Sequence, residues 1–129
     1  MKTPAHYNPV MPYLMIKDTD AFISFMKAVF ITTEQIIVPN ADGSLMHGEL
    51  KLDDAVIMFS GANEMYPAFP GSICLLRDDI DEVYNRANAN GAVSLQEPDN
   101  REYGRSAGFA DMFGNKWWLM NPNEDTPVF

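Results

Sequence analysis

Two residues of the 129-residue chain, His47 and Glu49, form a pattern that can do acid–base chemistry. Both lie in the segment 44–61, SLMHGELKLDDAVIMFSG, where alternating apolar residues flank Asp53-Asp54 and predict a β-hairpin. Residues two apart on a strand share a face, about 7 Å apart at the backbone. A carboxylate beside a histidine orients a general base or supplies half of a metal site. We favour ligand contact or a structural polar pair over catalysis, because the other histidine, His6, precedes the predicted elements.

The predicted hairpin has two faces of different character. With Asp53-Asp54 as a two-residue turn, Leu52 lies opposite Ala55 and Glu49 lies opposite Met58. One face is apolar and is expected to pack inward: Leu50, Leu52, Ala55, Ile57 and Phe59. The other is half polar, as the wall of a ligand pocket is: His47, Glu49, Lys51, Val56, Met58 and Ser60.

Composition excludes several functional classes. The formal net charge is −9, so a nucleic-acid or polyanionic partner is disfavoured. No apolar run approaches the roughly 20 residues of a membrane span, and the N-terminal residues do not resemble a signal peptide. The single cysteine, Cys74, cannot form an intrachain disulfide or a multi-cysteine zinc site, and it suits the reducing cytoplasm. We expect Cys74 to be a buried, inert thiol.

The two halves of the chain predict the same order of elements: strand, helix, strand, strand, strand. Segments IKDTDAFISFM and RDDIDEVYNRA match at an offset of 61 residues, which places Asp18 on Asp79. We therefore predict one α+β domain over 1–129 built from two βαβββ modules in tandem, in preference to two unrelated halves. The predicted parts are a first module over 9–60, a connector over 61–71, a second module over 72–122 and a loosely held tail over 123–129.

Local patterns predict where the elements begin and end. Residues 1–8 are expected to be a loose lead-in, strand one to cover 10–16, and the first helix to cover 21–30. Asp79 and Glu82 are spaced like a capping box at the start of the second helix. The strand after that helix is expected to end at Glu97-Pro98, followed by a polar loop over 99–106 and a second hairpin over 107–120.

The phrases VMPYLMIKDTDAFISFMKAVF, GSLMHGELKLDDAVIMF and FADMFGNKWWLMN resemble the glyoxalase/bleomycin-resistance/dioxygenase (vicinal oxygen chelate) superfamily, in particular its small PhnB-like and bleomycin-resistance-like members. The resemblance spans roughly 9–122. It implies that each module curves a mixed sheet around a concave cleft with the helix on the outer face, and that the chain forms a homodimer. The superfamily's metal-ligand positions fall on Met11, Met58, Ser72 and Trp118, which offer no imidazole or carboxylate, so we expect no metal and no cofactor.

The resemblance also implies which side chains face the cleft. Trp118 is expected to look into it with Met120, while Trp117 packs beneath the helices. The predicted lining is aromatic and apolar and suits a flat organic ligand; it comprises Met11, Tyr13, Met15, Met58, Cys74, Trp118 and Met120. Tyr103 and Arg105 are expected at the cleft mouth, where the arginine can bind an anionic group of a ligand. The alternative is that these side chains fill the cleft and leave no cavity.

Three functions remain open at this point. The first is a metal-independent protein that binds an aromatic or amphipathic small molecule. The second is a metal-dependent lyase, isomerase or dioxygenase with a non-standard site around His47 and Glu49. The third is a structural homodimer with a filled cleft.

Overall fold

The computed structural model describes residues 1–124 and divides the chain into two compact units, Met1–Pro70 and a second that begins at Gly71. The predicted α+β fold of tandem βαβββ modules is confirmed, since each unit holds one helix and one mixed four-stranded sheet. Residues 125–129 of the predicted tail lie outside the described residues. Neither helix in residues 1–124 has the length and apolar character to cross a membrane.

The sheet of the first unit has the strand order β1-β4-β3-β2. Strand β1 runs parallel to β4, and the other neighbours are antiparallel. The elements of this unit are β1 (Tyr13–Ile16), α1 (Thr19–Phe30), β2 (Thr33–Pro39), β3 (Leu45–Leu52) and β4 (Ala55–Gly61).

The second unit repeats this arrangement with the strand order β5-β8-β7-β6, in which β5 runs parallel to β8. Gly91 follows the helix with φ +99, a left-handed conformation that glycine adopts without strain. The elements of this unit are β5 (Ser72–Leu76), α2 (Ile80–Ala89), β6 (Val93–Arg101), β7 (Gly104–Ala110) and β8 (Lys116–Pro122).

Helix α1 forms where its apolar stripe and its cap predict. The carboxylate of Asp18 accepts a hydrogen bond from the backbone N–H of Ala21 at 3.1 Å, which satisfies one of the free donors at the helix start. The helix begins at Thr19, two residues before the predicted start. Its buried residues recur at helical spacing and pack on one face of the sheet: Phe22, Phe25, Met26, Val29 and Phe30.

The predicted register of the first hairpin is confirmed. Leu52 pairs with Ala55, Glu49 pairs with Met58, and the turn is Asp53-Asp54. The ring of Phe59 packs on Phe22 of α1, with ring centroids 5.0 Å apart. The face that carries Leu50 and Phe59 is therefore the helix-covered face, and the face of Glu49 is the opposite one, which we call the open face.

Three predicted boundaries are wrong. Strand β1 begins at Tyr13, so Met11 precedes it. Strand β6 continues through Pro98 to Arg101, because Pro98 lies on an edge strand at a break in the pairing register between Gln96 and Asp99, where its missing N–H costs no ladder bond. The predicted loop over 99–106 is instead the end of β6, a short turn and the start of β7.

The predicted capping box at α2 is also wrong. Asp79 is the N-cap residue but its side chain accepts no hydrogen bond from the helix. The guanidinium of Arg77 binds both oxygens of that carboxylate, at 2.7 and 2.9 Å, and lowers the pKa of Asp79. A bidentate arginine is a stronger partner than a backbone N–H, which explains the difference.

Candidate functional site

A cavity of about 330 Å³ lies in the second unit. Alternation along β7 and β8 sends Phe109 and Trp117 to the face covered by α2, where both are fully buried. The side chains that alternate with these two, Ser106, Trp118 and Met120, face the other way and line the cavity. The lining residues are Cys74, Gln96, Tyr103, Ser106, Ala107, Trp118, Leu119 and Met120.

Trp118 forms the aromatic wall of this cavity and is held from two sides. Its indole Nε1 donates a hydrogen bond to Ser72 Oγ at 2.9 Å. Its six-membered ring lies over Gly108, the residue paired with it on β7, where an added Cβ would lie 2.5 Å from two ring carbons. The indole plane is therefore fixed in orientation before any ligand arrives.

One side of the cavity is polar. Gln96 donates from Nε2 to the hydroxyl of Ser106 at 2.8 Å, and the hydroxyls of Tyr103 and Ser106 lie 3.4 Å apart. Ser106 is buried, so its hydroxyl is the innermost of these three polar groups. An apolar wall with a few converging polar groups is the composition typical of small-molecule sites.

Two predictions about the second unit are wrong. Arg105 lies on the helix-covered face of β7, where its guanidinium binds Asp81 of α2 at 3.0 Å and Asn100 at 2.9 Å. Its sequence position suggested a loop, whereas strand alternation turns it away from Ser106 and the cavity. Cys74 is exposed rather than buried, although desolvation raises the pKa of its thiol, which favours the neutral form.

The helix-covered side of the same hairpin is held by a buried carboxylate. Asp111 accepts hydrogen bonds from the indole Nε1 of Trp117 at 2.9 Å and from the amide of Asn115 at 3.0 Å. It also accepts from the backbone N–H groups of Phe113 and Asn115, both at 2.9 Å. The phrase FADMFGNKWW thus builds the loop that positions Trp117 and, by alternation, Trp118 on opposite faces.

The first unit brings His47 and Glu49 together on its open face, as the sequence predicted. His47 Nε2 lies 2.8 Å from Glu49 Oε2, and His47 Nδ1 lies 3.1 Å from the hydroxyl of Tyr13. Glu49 is only 2 % exposed. The result is a continuous hydrogen-bonded row of Tyr13, His47 and Glu49 across β1 and β3.

The sequence did not predict two hydrogen-bond partners of Glu49. Gln35 of β2 donates to Glu49 Oε1 at 2.9 Å, and Tyr7 donates to Oε2 at 3.1 Å. The lead-in is therefore not loose at Tyr7 and Asn8, since the amide of Asn8 also donates to the carbonyl of Asp54 at 3.2 Å. Tyr7 lies 42 residues from Glu49 in sequence, and no local pattern predicts such a contact.

The hydrogen bonds decide the charge of Glu49. Burial by itself would raise the pKa of this carboxyl, but the bonds from Gln35, His47 and Tyr7, with the charge of His47, outweigh burial and leave the pKa below its ordinary value. Desolvation, together with the bond to Glu49 and its charge, raises the pKa of Tyr7. Glu49 is thus an anion and Tyr7 a neutral donor at neutral pH.

A second cavity, of about 280 Å³, lies beside this row in the first unit. Tyr13 belongs both to the row and to the cavity wall, whereas His47, Glu49 and Met58 do not line the cavity. The lining residues are Tyr13, Met15, Ser60, Gly61, Asn63 and Tyr66.

The four positions that the resemblance assigns to metal ligands carry side chains that do not fit a metal. Met58 offers a thioether, and Met11 precedes β1. The indole Nε1 of Trp118 is a donor without a lone pair, and it binds the hydroxyl of Ser72. Among residues 1–124, no three His, Cys, Asp or Glu side chains are grouped so that they could hold an ion.

Comparison with known proteins relates this chain to a family. The model of the Glyoxalase/Bleomycin resistance protein/Dioxygenase superfamily matches residues 4–119. Among curated sequences, the uncharacterized protein Rv0887c of Mycobacterium tuberculosis is 29% identical over 123 residues, covering 86% of this chain and 72% of that protein.

Solved structures share the fold at low sequence identity. TioX from Micromonospora sp. ML1 has a TM-score of 0.76 at 21% identity, over 90% of this chain and 99% of that one. TnmS3, an antibiotic binding protein from Streptomyces sp. CB03234, has a TM-score of 0.70 at 20% identity, over 88% and 93%. The fosfomycin resistance protein FosX from Listeria monocytogenes, complexed with Mn(II) in its crystal structure, has a TM-score of 0.69 at 16% identity, over 92% of each chain.

Proposed function

Because the chain belongs to the Glyoxalase/Bleomycin resistance protein/Dioxygenase superfamily, we propose that it binds a flat aromatic small molecule, without a metal, in the cavity of its second unit. The observation that carries this proposal is the fixed indole of Trp118 beside an open volume of about 330 Å³. Ligand sites begin at about 300 Å³, so the volume suits a small aromatic compound.

The chemistry of the wall supports a planar ligand with a polar edge. A ring stacked on the Trp118 indole gains the area and quadrupole energy of an aromatic pair, about 0.5–1.5 kcal/mol beyond burial. Met120 and Cys74 supply soft, polarisable contacts. The hydroxyls of Ser106 and Tyr103 offer hydrogen bonds at one side of such a ring.

The relatives favour binding of small molecules as the class of function. TnmS3 is an antibiotic binding protein with the same fold, and FosX is a fosfomycin resistance protein. A planar aromatic antibiotic is thus one ligand type that belongs in a test panel.

A metal-dependent lyase, isomerase or dioxygenase around His47 and Glu49 has less support. Both ring nitrogens of His47 face hydrogen-bond partners, and each oxygen of Glu49 accepts from at least one donor. A cation there would have to displace Tyr13, Gln35 or Tyr7. A stoichiometric divalent metal in purified protein would favour this function instead.

The third function, a structural homodimer with a filled cleft, conflicts with the cavity volume in the second unit. The homodimer itself and the cytoplasmic location remain predictions. Light scattering coupled to gel filtration tests the first, because a homodimer has twice the 14.5 kDa mass of the chain.

Equilibrium dialysis against a panel of planar polycyclic aromatic compounds tests the proposed function. We expect at least one compound to bind the parent protein and to bind Trp118→Ala at least tenfold more weakly. Tyr84→Phe is the matched control, because the Tyr84 hydroxyl binds Ser94 outside the cavity, so it should bind as the parent does. Equal affinity of the parent and Trp118→Ala would contradict the proposal.

A further inference from the structure

The row of Tyr13, His47 and Glu49 contains a buried charge that the proposed function does not use. Burying a carboxylate is unfavourable unless hydrogen bonds compensate it, and here three side chains are committed to that purpose. Two of them, Gln35 and Tyr7, each donate one hydrogen bond to Glu49 and connect it to neither cavity. The third, His47, connects the carboxylate to the wall of the 280 Å³ cavity through Tyr13.

The buried carboxylate determines which nitrogen of His47 carries the proton. An ionised carboxylate only accepts hydrogen bonds, so Nε2 of His47 must donate to Glu49. In the neutral imidazole, Nδ1 then holds the lone pair and accepts from the hydroxyl of Tyr13. The lone pairs of the Tyr13 oxygen remain to accept a hydrogen bond from a molecule in the cavity, since Tyr13 is 47% exposed.

We propose that the first unit holds a second ligand site, in which Tyr13, His47 and Glu49 form a proton relay that binds a phenol or enol as its anion. The ligand O–H bond breaks as its proton passes to the Tyr13 oxygen. At the same time the original Tyr13 O–H bond breaks and its proton forms a bond with His47 Nδ1. The products are a ligand oxyanion and an imidazolium, and the Glu49 carboxylate stabilises the imidazolium.

The cavity wall matches such a ligand. Met15 and the ring of Tyr66 offer apolar contact, and Asn63 and Ser60 bring polar side chains, although the Ser60 hydroxyl already donates to the carbonyl of Met46 at 2.7 Å. No metal is required, because the charge that stabilises the oxyanion is the imidazolium itself.

Other titratable groups near the relay are few in the described residues. Tyr7 donates to Glu49 from the N-terminal segment, and the ring of His6 lies tilted against that of Tyr7 with ring centroids 4.2 Å apart. Lys51 follows Glu49 on the same face of β3, and Tyr66 lies on the cavity wall. Strand β4 contributes Met58 and Ser60 and β2 contributes Gln35, none of which titrates.

The probe for this site is 4-nitrophenol, because its phenolate has a visible absorption band that the neutral phenol lacks. We titrate the probe with protein across a pH series and follow that band. The parent protein should lower the apparent pKa of the bound probe by at least about one unit, a tenfold gain in ionisation. Tyr13→Phe should return that pKa to its value in solution, and His47→Gln should do the same.

Matched variants separate this site from the cavity of the second unit. Tyr84→Phe removes a tyrosine hydroxyl elsewhere and should behave as the parent. Trp118→Ala should leave the ionisation of the probe unchanged. Because exposed Tyr13 can lose its hydroxyl without disturbing the core, the test does not depend on a variant that fails to fold.

Three outcomes would overturn the relay: 4-nitrophenol fails to bind the parent, it binds without a change in ionisation, or Tyr13→Phe ionises it as strongly as the parent. In the last of these cases, loss of the phenolate band in Trp118→Ala would place the probe in the second unit. A negative result for the relay does not change the affinities that dialysis measures for the parent and Trp118→Ala, so the two proposals are tested independently.

Discussion

The indole of Trp118 lies across Gly108, its partner on β7, so closely that a Cβ at position 108 would be 2.5 Å from two ring carbons. In the first unit, the residue paired with Met58 on the open face is Glu49, which has a side chain where Gly108 has none. Glycine at 108 thus leaves the room that the indole of Trp118 occupies in the second unit. The absence of a side chain at 108 is therefore what lets Trp118 form the aromatic wall of the second unit's cavity.

Gly108→Ala should therefore displace the indole of Trp118. Overpacking of this kind costs about 1–3 kcal/mol, and we expect aromatic ligands to bind roughly tenfold more weakly. Isothermal titration of the compound found by dialysis measures the change. Gly43→Ala is a control for glycine replacement outside the site, since no atom lies within 4 Å of its added Cβ; its φ of +88 makes it a test of stability alone. Unchanged affinity in Gly108→Ala would show that Trp118 does not contact the ligand.

Asp111→Ala should be among the most destabilising single substitutions in the second unit. It removes the acceptor for Trp117 Nε1, for the Asn115 amide and for two backbone N–H groups, of which only that of Phe113 is partly exposed. Leaving buried donors unpaired costs about 1–3 kcal/mol for each group, so we expect a loss of about 3 kcal/mol or more. Urea unfolding followed by circular dichroism measures it.

The control for Asp111 is Asp78→Ala, an exposed aspartate of the same unit whose replacement should change the free energy of unfolding by about 0.5 kcal/mol or less. If the two substitutions cost the same, Asp111 does not organise the loop between β7 and β8.

Glu49 should make the stability of the first unit depend on pH in the acid range. Its pKa is lowered in the folded state, so its contribution to stability is fully present above the ordinary carboxyl range and is lost as the pH falls through the folded-state value. Glu49→Gln should therefore cost more stability at pH 7 than at pH 3. Urea unfolding of both proteins at the two pH values measures the difference.

Glu34→Gln serves as the comparison for Glu49, because Glu34 is a half-exposed carboxylate paired with Lys27 at 3.0 Å. Its effect should be smaller than that of Glu49→Gln at pH 7, since exposed ion pairs contribute little. A cost of Glu49→Gln that does not vary with pH would mean that Glu49 is neutral in the folded protein.

The sequence predicted the elements whose information is local. The stripe from Phe22 to Phe30 and the Asp53-Asp54 turn each determine a helix or a register within a dozen residues, and the structure follows them. The wrong predictions concern residues whose partners compete with each other or are distant in sequence. Arg77 takes the Asp79 carboxylate from the helix, and the edge position of β6 tolerates Pro98; neither outcome is visible before strands are paired.

The candidate site was also predictable only where it depends on local sequence. Strand alternation is enough to put His47 beside Glu49 and to separate Trp117 from Trp118. The contacts of Glu49 with Tyr7 and Gln35 join three segments that are distant in sequence, the N-terminal segment, β2 and β3. The room for the indole above Gly108 depends on the pairing of β7 with β8. Arg105 was misplaced because a wrongly predicted loop concealed its strand.

The most direct test of the central claim is tryptophan fluorescence, because the chain has two tryptophans on opposite faces of one strand. Trp117 is fully buried on the helix-covered face, whereas Trp118 lines the cavity. We predict that a bound planar aromatic compound quenches the emission of the parent protein and that Trp118→Phe, which keeps Trp117, loses this quenching. Quenching that persists undiminished in Trp118→Phe would contradict a ligand site at Trp118.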